Sequence, residues 1–183
     1  MTTIWTLDAS DGELLVRTGV AGRAARMGHR LTIAMTRWRA SVNWTSAEPA
    51  EPVTAELAVE TDSLEVLRGE GGVKGLSGAE KALVRSNALR SLNAGRFPEI
   101  RFASQSVEKT AQGYRLTGML QIRGKSREHV IDLRTEDLGD SWCMSVESVV
   151  RQSDYGVKPY SLLMGSVRVA DEVTVSWTAV RRR

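Results

Sequence analysis

Two histidines, one cysteine, a glycine-rich stretch and a few carboxylate pairs are the side chains with which this sequence could do chemistry. A metal centre or a nucleophilic triad needs several such groups at set spacings. His29 follows Gly28 at the start of an alternating segment, and His129 sits between Glu128 and Val130, with no HExxH, no HxH and no second ligand close by. Both read as structural or surface residues. Cys143, on the parity opposite to Trp142 and Met144, reads as a small half-buried thiol rather than a nucleophile. The stretch from Gly69 to Gly75 lacks the Gly-Lys-Ser/Thr ending of a phosphate loop, and its Glu70 would repel a phosphate, so it reads as a hinge or lid. The pairs Glu136/Asp137 and Asp171/Glu172 fall in expected turns, where solvated charges are the default. No catalytic constellation, metal or cofactor is expected, and binding outranks catalysis.

The elements that must position these residues alternate with period two, the mark of strands buried on one face and wet on the other. Glu13 to Val20 is the first expected strand, and Arg30 to Trp44 a second, long one. In the latter, Leu31, Ile33 and Met35 share one parity and Trp38, Ala40, Val42 and Trp44 the other, which predicts a bulge or bend. Val53 to Val59 follows. Between Asp62 and Pro98 the alternation stops, and Ser77 with Glu80 forms a capping box that predicts a helix from Gly78 to Leu92. Strands resume after Pro98, through Phe102, Tyr114 to Ile122, His129 to Leu133 and Trp142 to Val150. The last two, Leu163 to Val169 and Val173 to Ala179, are separated by an expected turn at 170–172. Eight or nine strands with short turns usually close into a barrel or pack as a sandwich.

Length and composition agree with one domain, residues 1–180, followed by a basic tail, 181–183. The 183 residues are 42% apolar and 26% charged, near the globular mean. No apolar run approaches the roughly 20 residues of a membrane-spanning helix. The first twenty residues lack a basic start and an apolar run, so a cytoplasmic location is expected, with which a single cysteine agrees. The net charge of +3 equals the three terminal arginines, which read as a solubilising end that an anionic membrane surface would attract. Without a basic face interleaved with aromatics, no nucleic-acid partner is expected. Aromatics are only 5%. So few large side chains among so many inward positions allow an unfilled apolar interior, although aliphatic side chains alone can fill a core.

Several segments together resemble the YceI-like family of lipocalin-like, isoprenoid-binding proteins. The run from Arg96 to Ser104 (RFPEIRFAS) is similar to that family's "yPxIxFxS" strand, and Gly118 to Gly124 (GMLQIRG) to its "GxLtixG" strand and turn. Asp154-Tyr155-Gly156 is similar to its "DFG", and Gly165 to Val175 (GSVRVADEVTV) to its closing hairpin. Asp62-Ser63-Leu64 stands where the family has a serine-aliphatic pair ahead of its helix. The resemblance implies an all-β fold with one helix, an extended eight-stranded antiparallel lipocalin-like β-barrel holding a long-chain isoprenoid or other apolar small molecule.

Inward parity then selects the expected ligand-binding lining. It comprises Ile33, Met35, Leu57 and Val59 early in the chain, and Ile100, Phe102, Leu116, Leu120 and Ile122 after the helix. Ile131, Leu133, Met144 and Val146 complete it. Trp38 and Tyr155 are expected at the mouth, where an amphipathic ring suits a wet boundary. The alternative is a solid barrel serving as a stress-related or protein-interaction module, its partner another protein or a second copy in a homodimer.

Overall fold

Alternation of buried and exposed side chains is carried through twelve strands, which the computed structural model describes over residues 3–46 and 50–182. The first six are β1 (Thr3–Asp8), β2 (Gly12–Ala21), β3 (His29–Met35), β4 (Trp38–Trp44), β5 (Pro52–Glu60) and β6 (Leu64–Gly71). The helix α1 (Gly78–Leu92) follows, then β7 (Glu99–Thr110), β8 (Gly113–Ile122), β9 (Lys125–Asp137), β10 (Ser141–Arg151), β11 (Ser161–Leu162) and β12 (Val167–Arg182). All pairs are antiparallel, in the order β1-β4-β5-β7-β8-β9-β10-β12-β2-β3-β6, with β11 on β12.

Twelve strands stand where eight are expected, and the register shows why. Arg30 to Trp44 is not one bulged strand: β3 ends at Met35, paired with Leu64, and β4 begins at Trp38, paired with Val59. The parity switch is a corner at Thr36 and Arg37, faced by a second corner at Thr61–Ser63. Backbone bonds tie the two, Thr36 N–H to Ser63 O at 3.2 Å and Glu60 N–H to Arg37 O at 3.0 Å. Buried hydroxyls fill the remaining acceptors: Ser63 Oγ donates to Glu60 O at 2.7 Å and Thr61 Oγ1 to Phe97 O at 3.0 Å. Because β3-β6 lies at one end of the strand order and β4 and β5 near the other, these corners bring both ends together and the sheet curls around a core.

Three further expectations are corrected. The alternation does not stop at Asp62, since Leu64 and Val66 of β6 are buried before glycines take over. Residues 170–172 are not a turn: β12 runs through them with a bulge between Val169 and Val173, and Asp171 accepts hydrogen bonds from the Ser153 backbone and hydroxyl. Leu163 opens a short 3-10 turn, not a strand. Arg181 and Arg182 extend β12, Arg181 stacking 4.7 Å from the Trp5 ring centroid.

The helix forms where expected. Ser77 Oγ accepts from Glu80 N–H at 3.2 Å, Glu80 Oε2 accepts from Ser77 N–H at 2.7 Å, and Asn93 ends the helix in left-handed conformation. Arg85 anchors it beside the corner by donating to Leu64 O and Asp62 O. At the β8–β9 hairpin, Arg123 and Gly124 both have positive φ, the two-residue turn that matches strand twist. A Cβ on Gly124 would meet the Phe97 ring, so glycine is required there twice over.

Candidate functional site

The curled sheet encloses a cavity of about 680 Å³, within the usual range for small-molecule sites. Its lining is overwhelmingly aliphatic because the inward parity of nearly every long strand is Val, Leu, Ile or Ala. Of the expected lining residues, all but Trp38 border the cavity, from Ile33 and Met35 on β3 to Met144 and Val146 on β10. Trp38 is corrected: 5% exposed, it packs edge-on against Trp177 at 5.7 Å, and its indole N–H is buried without a partner. Tyr155 borders the cavity but is buried beside Val150 and Val157 rather than sitting at a wet rim. Period-two alternation assigns a face of the sheet; depth along the strand is set by the corner.

Sequence reasoning missed the helical wall. Val84, Asn87, Ala88, Ser91 and Leu92 border the cavity at i, i+3, i+4, i+7 and i+8, one stripe of α1. Its spacing was legible, but two of its members are polar and other apolar residues surround the wheel. Trp177 of β12 was missed as well, since its strand was assigned without a partner to orient it.

Polar groups at the cavity are mostly spent on the protein. Thr18 Oγ1 accepts from Leu31 N–H at 3.1 Å, and Gln152 Nε2 donates to Ala170 O at 2.9 Å. His29 Nε2–H donates to Lys74 O at 2.6 Å, which fixes its tautomer because a carbonyl only accepts. His129 Nε2 and Ser148 Oγ are 2.7 Å apart. They bridge a seam, since β9 and β10 are paired only from Asp137/Trp142 to Leu133/Val146. Burial pushes the His129 pKa below the usual histidine value, so the ring is held neutral. Asn87 differs: it is 9% exposed, and its amide makes no hydrogen bond to the described residues. Among the described residues no group of three His, Cys, Asp or Glu side chains could hold a metal ion, and no helix is long and apolar enough to cross a membrane.

The chamber is deep and aliphatic, and besides the Asn87 amide the indole N–H of Trp177 is left without a partner at its wall. A family model described as a YceI-like domain matches residues 5–180. Among solved structures, BcnA of Burkholderia cenocepacia aligns with a TM-score of 0.71 at 16% identity, covering 96% of this chain and 99% of that one. A YceI protein of Campylobacter jejuni aligns at a TM-score of 0.56 and 15% identity, over 79% and 81% of the two chains. No curated protein matches the chain.

Proposed function

Because the chain belongs to the YceI-like family, we propose that it is a non-enzymatic carrier that holds a long-chain isoprenoid or similar lipid inside a lipocalin-like barrel. The observation that carries this reading is the aliphatic cavity of about 680 Å³. A solid-core interaction module has no use for such a void, and packed interiors ordinarily leave few spaces larger than a water molecule. Joining β1 with β2 across residues 9–11, and β3 with β4 and β5 with β6 across their corners, with the two-residue β11 off the path set aside, supports the eight-stranded arrangement that such a barrel requires. Affinity needs little directed chemistry: about ten buried methylenes contribute roughly 8 kcal/mol before ordering costs, the scale of micromolar binding.

Native mass spectrometry of the purified protein, followed by solvent extraction, tests the reading directly. An apolar adduct of defined mass is expected. Trp177 borders the cavity, so titration with isoprenoid alcohols of increasing length should change tryptophan fluorescence. A protein that carries nothing and shows no fluorescence change at any chain length would falsify the carrier reading.

A further inference from the structure

Three loops meet at one end of the cavity, and their charge is one-sided. Segments 22–30, 71–77 and 156–168 contain Arg23, Arg26, Arg30, Lys74, Lys158 and Arg168 and no Asp or Glu. The whole chain carries +3, so these three segments hold six positive charges and the rest of the chain is negative by three. Ala24 N–H donates to Ser166 O at 2.8 Å and His29 to Lys74 O, which ties the three loops into one rim. Of the carboxylates flanking these segments, Glu70 pairs with Arg68, Asp171 accepts from Ser153 and Asp154 acts on Arg151; Glu80 accepts from the Ser77 N–H and is the one acid that also feels the rim, through Lys74 and His29.

The same rim exposes large apolar side chains. Met27, Leu162 and Leu163 border the cavity and are each more than half exposed; beside them Val73 is 90% exposed and Met164 wholly so. Leu163 and Met164 hold this position with positive φ, which bulky residues rarely adopt. Apolar tips inside a basic ring match the headgroup layer of an anionic bilayer, where the tips enter the acyl boundary and the cations face phosphates. A second copy of the chain fits poorly, because two such rims repel.

We propose that this end of the molecule docks on an anionic lipid bilayer, with Val73 and Met164 entering the headgroup layer and the cavity mouth facing the lipid. The docking surface stands on the rim's own residues; only its use in loading the cavity rests on the carrier reading.

Flotation with vesicles of phosphatidylcholine alone, and of phosphatidylcholine with roughly one-third phosphatidylglycerol, tests it. The protein should float with the anionic vesicles only and be released as salt is raised. Val73→Asp with Met164→Asp should lower partitioning at least about tenfold; aspartate tolerates the left-handed conformation of position 164. Arg23→Glu with Arg26→Glu and Lys158→Glu should lower it at least about fivefold per position. None of these five residues borders the cavity, so farnesol titration followed by tryptophan fluorescence should be unchanged and report an intact fold. Failure of the unaltered protein to float, equal flotation with neutral vesicles, or undiminished partitioning of both variants would each overturn the proposal. Farnesol binding without flotation removes the docking surface and keeps the carrier. Flotation without farnesol binding does the reverse.

Discussion

At the scale of single residues, Asn87 and His129 carry opposite lessons about a polar group beside an apolar void. The Asn87 side chain makes no hydrogen bond with the described residues and borders the cavity rather than being sealed in the core, so replacing it forfeits no protein hydrogen bond. Asn87→Leu should therefore leave the thermal midpoint of the empty protein unchanged or raise it. The same change should weaken an isoprenoid alcohol about two- to tenfold, the worth of one hydrogen bond, while leaving a hydrocarbon of equal length unaffected. Competition between the two ligands reads that difference, and an unaltered preference would remove Asn87 as the polar anchor. His129 is satisfied by Ser148 and held neutral by burial. Its folded pKa lies below the unfolded value of about 6.5, so the unfolded chain takes up the proton first as pH falls. Stability from this group is fully present above about pH 6.5 and is lost as pH drops through the lower, folded pKa. Melting curves between roughly pH 7 and 5 should show the loss, and His129→Gln should flatten it. The lowered carboxyls Asp8 and Asp132 titrate further down and leave that window clear.

At the scale of elements, the corners decide whether strands become a vessel. The Ser63 side chain is buried at 3% exposure and donates to Glu60 O at 2.7 Å. Ser63→Ala removes this part-buried hydrogen bond and should cost about 0.5–1.5 kcal/mol, seen as a lower melting temperature; an unchanged midpoint would show that the corner is held by its backbone bonds alone. These corners also mark the limit of what the sequence discloses. Alternation assigned the inward faces of β7 to β10 correctly, because a pleated strand has only two faces. The helix was legible to its ends, since Ser77 and Glu80 satisfy orphan amides locally and need no tertiary partner. A parity switch, by contrast, looks the same in a bulge, a corner or two strands, and only the facing Thr61–Ser63 turn distinguishes them at Thr36. Trp38 was misplaced for that reason: its face was legible, but the corner that buries it is a long-range event. Asp171 next to Glu172 looked like a turn because its hydrogen-bond partner, Ser153, is 18 positions away.

At the scale of the whole molecule, the distinction between a packed core and a cavity lies in residue volumes summed over strands distant in sequence. Val, Leu and Ile at alternate positions serve either, and the low aromatic content of 5% was the sole compositional hint. Volume is therefore the property to perturb. Leu116 and Leu120 of β8 both border the void, so Leu116→Phe with Leu120→Trp adds bulk where no atoms stand. In a packed interior such a change forces side chains off their rotamers and costs about 1–3 kcal/mol. Here the added rings should fill empty space, leaving the melting temperature level or higher as new dispersion contacts form. The same rings occupy the volume an isoprenoid chain would take, so farnesol binding should fall at least about tenfold, a loss near 1.4 kcal/mol. The two readouts move independently: a destabilised variant would show that the void closes in solution, and a stable variant that binds as before would place the ligand outside it.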